Sequence, residues 1–194
     1  MKLYIATGNE HKKKEFMQIL QGIHCVLPKD EGISFDPEET GSSFLENALI
    51  KAKALFSEVK QPVIADDSGI CIDALGGMPG VYSARYGDKA GKILNAEEKN
   101  MLVLQQMTGK QERSCRFVCC IVLMLSADRI YTVQETCEGI VADKPFGEGG
   151  FGYDPIVYLP TFQKTVAELS EEEKNRFSHR GKAGAKIAAL LKML

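Results

Sequence analysis

The chain has 194 residues, 44% of them hydrophobic and 26% charged, with a formal net charge of −2. That length suits one domain, or one domain with two lobes, and buries enough apolar surface to fold without a metal or a disulfide. The charge excludes a generic nucleic-acid binder, which would carry a basic surface, but leaves room for a local basic pocket that holds a small polyphosphate.

The sequence contains no internal repeat and no Pro/Ser-rich linker. Lys2–Ala6 reads as a short strand closed by Thr7-Gly8-Asn9, and a helix follows to Leu20 with Phe16, Ile19 and Leu20 inward. His24–Leu27 reads as a second strand. The stretch Asp30–Glu46 holds six acids and no Lys or Arg. It ends in Ser43-x-x-Glu46, a capping box that starts a helix whose apolar stripe is Leu45, Ala48, Leu49, Ala52 and Phe56. Pro62–Ala65 is an apolar strand ending in Asp66-Asp67-Ser68-Gly69, and Ile70–Ala74 is expected to pair with it.

Asn95-x-x-Glu98 caps a further helix that stops at Thr108-Gly109. Arg116–Leu125 is apolar on both faces, as a central covered strand would be, and Arg129–Glu138 is its expected partner. A short strand is expected at Ile156–Leu159. Ser170-x-x-Glu173 caps a short helix, and Gly181–Leu194 forms the last one, with Ala183, Ile187, Leu190, Leu191 and Leu194 inward. Irregular alternation of strands and helices around one long hairpin favours an α/β protein with a mixed sheet.

Six cysteines are present without a C-x-x-C pair, and only three histidines accompany them. A zinc site is therefore not expected, and the thiols read as buried and free in a reducing compartment. The stretch from Met1 is too short and too quickly strand-like for a signal segment. No apolar run approaches the ~20 residues that span a bilayer. A cytoplasmic protein is expected, without nucleic-acid or membrane partners.

Four segments can carry chemistry. In Thr7-Gly8-Asn9-Glu10-His11-Lys12, a glycine between strand and helix lets the backbone approach an anion, and Lys12 adds a mobile cation. The same residues also serve as a plain turn capped by Asn9. The carboxylates of Asp66 and Asp67 point to opposite sides of a strand, so at most one of them faces a given cleft. Magnesium needs only one or two carboxylates besides substrate phosphates, and Glu38 or Glu39 can supply the second. Asx-turn chemistry at Ser68-Gly69 is the competing reading. Phe151-Gly152-Tyr153-Asp154 offers aromatic faces for a base and a hydrogen-bond acceptor for its edge, unless the aromatics simply pack inward. Lys174, His179 and Arg180 form a small donor cluster suited to a nucleotide, or a solvated connector.

Taken in order, TGNEHK, EETGSSFLENALIKA, ADDSGICIDALGGMPGVYSARY, GGFGYDP and EEKNRFSHR closely resemble the inosine-triphosphate pyrophosphatase family, the dITP/XTP pyrophosphatases of bacteria. The resemblance runs from residue 7 to residue 180. It implies a homodimer with an elongated mixed sheet flanked by helices, two lobes around a deep substrate cleft, and Mg²⁺-dependent release of pyrophosphate from ITP, dITP and XTP. Residue by residue it implies that Thr7, Gly8, Asn9, Glu10, His11 and Lys12 hold phosphates. Asp67 would be metal ligand and proton acceptor, with Glu38 as the second acid, and Ser68 would touch substrate. Phe151, Gly152, Tyr153, Asp154, Lys174, His179 and Arg180 would surround base and sugar. A pyrophosphatase for other modified nucleotides, and a non-catalytic nucleotide sensor, are the alternative functions.

Overall fold

The computed structural model describes residues 2–193. Seven strands form one sheet in the order β2-β1-β3-β4-β5-β6-β7. They are β1 (Lys2–Ile5), β2 (His24–Val26), β3 (Val63–Ile72), β4 (Ser114–Ser126), β5 (Arg129–Val141), β6 (Val157–Leu159) and β7 (Lys164–Thr165). β1 pairs in parallel with β2 and β3, whereas β5, β6 and β7 pair antiparallel. The mixed α/β sheet expected from the sequence is therefore present. Five α-helices accompany it: α1 (Glu10–Ile19), α2 (Phe44–Val59), α3 (Ala96–Gln106), α4 (Glu171–Phe177) and α5 (His179–Leu191).

The chain divides into two compact units. The first comprises 1–67, 119–135 and 179–194, and the second 68–118 and 136–178. In the first, the period-two alternation of strands sends side chains to two separate cores. Leu3, Ile5, Ile64, Cys119, Ile121 and Leu123 pack with Phe16 and Leu20 of the α1 segment and with Ala183 and Ile187 of α5. Tyr4, Ala6, Val63, Ala65, Val122 and Met124 face the other way, onto Ala48, Ala52 and Leu55 of α2. The second unit has its own core, in which Ile70, Ile72, Phe117 and Cys137 meet Val103, Met107, Tyr153 and Ile156.

The local capping signals hold. The side chains of Ser43, Asn95 and Ser170 each accept from the backbone N–H three residues on, and Glu46, Glu98 and Glu173 reach back to complete the boxes. Three expectations fail, the first only in part. Of the stripe expected on α2, Ala48, Leu49, Ala52 and Phe56 do face the core, but Leu45 is exposed and the fully buried face also includes Asn47, Lys51 and Leu55. Two of these are polar, and an apolar count does not register them. α5 starts at His179, immediately after Ser178 ends α4, and not at Gly181; Leu194 lies outside the described residues.

The third failure matters most. Pro62–Ala65 and Ile70–Ala74 are not two paired strands, because β3 runs unbroken from Val63 to Ile72. Asp66-Asp67-Ser68-Gly69, which has turn chemistry, is mid-strand because its backbone has non-local partners. The Ser83 hydroxyl accepts from Ile70 N at 2.9 Å and donates to the Gly80 carbonyl at 2.7 Å. A Cβ on Gly69 would stand 2.3 Å from Ser83 Oγ and 2.4 Å from Gly80 O. Gly69 is thus a close-approach glycine, not a turn glycine. Gly69→Ala is expected to destabilise the protein by about 1–3 kcal/mol, the usual cost of overpacking. In thermal unfolding that corresponds to a fall of roughly 2–4 °C per kcal/mol for a chain of this size. An unchanged midpoint would refute the close approach.

Candidate functional site

Strand alternation assigns the two neighbouring carboxylates to different helices. Asp66 shares its side with Ile64 and faces α1 and α5, and Asp67 shares its side with Val63 and Ala65 and faces α2.

On the first side, Asp66 Oδ2 accepts from Lys12 Nζ at 3.0 Å, Arg180 Nη2 at 3.1 Å and Arg180 Nε at 3.4 Å. Arg180 Nη1 donates to Glu15 Oε2 at 2.5 Å. Asp66 and Arg180 are both 1% exposed. Burial alone would raise the proton affinity of Asp66, but the Lys12, Arg180 and Lys51 charges outweigh it and hold the carboxyl well below the usual range. Arg180, expected beside a base, thus has a guanidinium fastened to two carboxylates. His179, next to it, is also buried.

Lys12 stands in the first turn of α1. The Asn9 side chain caps that helix, accepting from His11 N at 2.9 Å and Lys12 N at 3.2 Å. Asn9 N in turn donates to Thr7 Oγ1 at 3.1 Å. Three amides that the sequence offers to a phosphate are therefore already bonded within the turn. The cationic element of this loop is the Lys12 side chain, while Gly8, Glu10 and His11 are exposed and Glu10 pairs with Lys29 and Lys13.

On the second side, Asp67 accepts from Asn47 Nδ2 at 3.2 Å on one oxygen and from Lys51 Nζ at 3.2 Å on the other. Lys51 Nζ also reaches Glu39 Oε1 at 2.6 Å, and the Asn47 side-chain oxygen accepts from Gly41 N at 2.8 Å. Glu39 is thus linked to Asp67 through Lys51, while Glu38 is exposed. The segment before α2 is extended, with Ile33, Phe35, Pro37 and Glu39 half-buried and Ser34, Asp36, Glu38 and Thr40 exposed. Glu38 is the exposed member of the pair and Glu39 the half-buried one. Burial raises the proton affinity of Asp67; Lys51 and Lys12 pull it back only in part, and Glu39 adds to the rise. Lys51 keeps its proton despite burial because Asp67, Asp66 and Glu39 surround it.

Two oxygen-only acids that share one ammonium make a donor set suited to a hard cation, and such a cation needs no third protein carboxylate. No group of three or more His, Cys, Asp or Glu side chains placed to hold a metal occurs among the described residues. Asn47, Lys51 and Glu15 escaped the reading of motifs. The available signal was a polar pair four residues apart, Asn47 and Lys51, beside the apolar stripe of α2.

In the second unit, Asp154 is the hub of the glycine-rich loop. Its Oδ2 accepts from Phe151 N at 2.8 Å and from Lys174 Nζ at 2.7 Å. Lys174 Nζ also stands 4.4 Å from the centroid of the Phe151 ring. A Cβ on Gly150 would lie 2.1 Å from Asp154 Oδ2, and its φ is +71°, so only glycine fits there. Tyr153 packs into the core and donates its hydroxyl to Ser83 O at 2.9 Å, whereas Phe151 is half-buried. Asn100 of α3 donates to Gly152 O at 3.1 Å and steadies the same loop. Ser68 is half-buried, directly after Asp67 in β3.

The opposite settings of Asp66 and Asp67 can be measured directly. In the metal-free protein, side-chain carbon-13 NMR should show Asp67 titrating above the ordinary value of 3.8 and Asp66 below it. Lys51→Met should move Asp67 further upward, since Lys51 is the strongest influence lowering it. Asp67 titrating before Asp66 as pH rises would contradict the assignment.

The sequence pattern of the Ham1 family matches residues 3–190. The chain is similar to a dITP/XTP pyrophosphatase of Treponema denticola, with 55% identity over 192 residues and 99% of each chain covered. A dITP/XTP pyrophosphatase of Geobacillus kaustophilus is 44% identical over 189 residues, covering 95% of this chain and 91% of the relative. Among solved structures, a HAM1 protein from Coxiella burnetii superposes with a TM-score of 0.90 at 37% identity, each chain covered in full. Sequence pattern, identity and fold agree along almost the whole length, and the chain belongs to the Ham1 family.

Proposed function

We propose that this protein hydrolyses deaminated purine nucleoside triphosphates, ITP, dITP and XTP, to the monophosphate and pyrophosphate. The observation that carries the reading is the division of labour in β3, where one buried carboxylate is held anionic beside Lys12 and its neighbour has a raised proton affinity beside Lys51 and Glu39. Neighbouring acids whose proton affinities are pushed apart are the usual mark of an acid–base site. The names of the Treponema and Geobacillus relatives support the substrate class.

In this reading Lys12, with Thr7 to His11 around it, and Lys51 hold phosphate oxygens. Glu39 and Asp67 would hold Mg²⁺, which supplies Lewis acidity toward the phosphates when bound. Asp67 orients the attacking water and takes its proton as the bond to the leaving pyrophosphate breaks. Phe151 offers its ring to the base, Lys174 and Asp154 fix that ring's loop, and Ser68 and Tyr153 complete the surroundings.

Hypoxanthine and xanthine present a carbonyl at position 6 and an N–H at position 1, where adenine has the reverse pattern. Arg180 and His179 are donors, and each Nη of a guanidinium carries two N–H groups. Donors held rigid by Asp66 and Glu15 favour the carbonyl and oppose the amino group. The reading includes a cytoplasmic homodimer without nucleic-acid or membrane partners. It is supported by the net charge of −2, by the absence of any described helix long and apolar enough to cross a membrane, and by the exposed Met78, Tyr82 and Met101 as apolar surface for a second copy.

ITP, XTP, dITP, GTP and ATP, each assayed with Mg²⁺ and chromatographic product detection, test the reading. Monophosphate and pyrophosphate should appear together, with ITP and XTP ahead of ATP in kcat/KM by about 10⁴-fold, the range of sites built on hydrogen-bond complementarity. Primary release of a diphosphate and orthophosphate would refute the bond assignment. Asp67→Asn should fold and lose about 10²–10⁴-fold in kcat, the usual worth of a general base. Wild-type turnover in that variant would remove Asp67 from the chemistry.

A further inference from the structure

Asp66 takes no proton and holds no metal in the reaction as read above, yet it is the most heavily engaged carboxylate on β3. Four donor atoms converge on its Oδ2: Lys12 Nζ, Nε and Nη2 of Arg180, and the Cys119 thiol at 3.9 Å. Its Oδ1 is buried without a hydrogen-bond partner among the described residues. The quartet Glu15, Arg180, Asp66 and Lys12 contains two acids and two cations. Arg180 is shared between Glu15 and Asp66, and Lys12 adds the second cation on Asp66, so the four charges balance as a group.

The Lys12 side chain is 14% exposed, whereas those of Asp66 and Arg180 are 0% and 2% exposed. A lysine at the edge of a buried network, on a flexible four-carbon stem, would sample many rotamers if nothing held it. Asp66 holds it from below, with the Arg180 fork fixing the carboxylate in turn. We infer that Asp66 is a positioning residue for Lys12. It pins the ammonium where a phosphate oxygen must come to it, and it offsets the ammonium's charge so that pyrophosphate leaves after cleavage. This rests on the reading of Lys12 as a phosphate-binding residue.

The proposal predicts a split that simple damage to the fold would not produce. Removing the charge in Asp66→Asn leaves Lys12 uncompensated, so anions bind more tightly while the aim of the ammonium is lost. Pyrophosphate, added as a product inhibitor, should bind at least about threefold more tightly, since a charge lying about 3 Å from the ammonium has been removed. KM should fall with it, while kcat drops by about tenfold or more as the ammonium loses its aim.

A second readout needs no turnover. Acetic anhydride labelling of the substrate-free protein, followed by mass spectrometry, should show Lys12 modified several times faster in Asp66→Asn than in the wild type, with distant lysines unchanged. Should Asp66→Asn fail to fold, Glu15→Gln replaces it. That change makes Arg180 lean more on Asp66 and loosens Lys12 in the same direction. Unchanged Lys12 labelling and unchanged pyrophosphate affinity in the folded variant would overturn the proposal, as would weaker pyrophosphate binding. Lys12→Gln separates this from its premise. If Lys12→Gln leaves pyrophosphate and substrate affinity intact, Lys12 is no phosphate ligand and both readings fall. If it weakens them while Asp66→Asn changes nothing, only the role of Asp66 is lost.

Discussion

The whole arrangement depends on the two-residue period of a single strand. Because successive side chains of β3 leave on opposite sides, the adjacent acids Asp66 and Asp67 make their direct contacts with different cations. One is committed to α1 and α5 through Lys12 and Arg180, and the other to α2 through Asn47 and Lys51. Two carboxylates on the same side would repel and share a proton; here Asp66 touches Lys12 and Arg180 while Asp67 touches Lys51, and burial acts on both with different outcomes. A one-residue slip of β3 would exchange the two environments and bring each acid to the wrong helix.

The same economy appears in the second unit, where one ammonium has two tasks. Lys174 neutralises Asp154 and lies over the Phe151 ring, so the charge and the aromatic face of the loop are fixed together. Buried ion pairs of this kind are weak contributors to net stability, because desolvation consumes much of the Coulombic gain. Their value lies in geometry. Breaking one partner leaves a buried charge uncompensated, so the remaining positions in the loop have a defined orientation or none.

Legibility in the sequence followed the range of the interactions. The caps at Ser43, Asn95 and Ser170 were readable because donor and acceptor lie three residues apart. The long hairpin of β4 and β5 was readable from an apolar run and its neighbour. The continuity of β3 was not, since Asp-Asp-Ser-Gly has the composition of a turn and only partners distant in sequence, the neighbouring strands β1 and β4 and the Ser83 hydroxyl, hold it in a strand. The stripe expected on α2 held at Ala48, Leu49, Ala52 and Phe56 but took in the exposed Leu45 and left out Asn47 and Lys51, because a count of apolar residues is blind to buried polar ones. The segments that the sequence singled out for their acids, around Glu38 and Asp66-Asp67, are the ones that Lys51 joins. The sequence left open which of Glu38 and Glu39 turns inward, a matter of parity in an extended stretch without a strand partner to set it. The engagement of Arg180 with Glu15 and Asp66 joins three distant segments, and no local pattern announces it.

The contact between Gly69 and Ser83 has a consequence for how this sequence can drift. Residue 69 can accept no side chain unless residue 83 retreats, and residue 83 cannot lose its hydroxyl without stranding the Ile70 amide and the Gly80 carbonyl. Neither position can move first. Together with the engaged acids at 66 and 67 and the core residue at 70, this makes four of the five positions in that run ones whose side chains are fixed by buried neighbours. Substitutions in the chain should therefore accumulate around this segment and seldom within it.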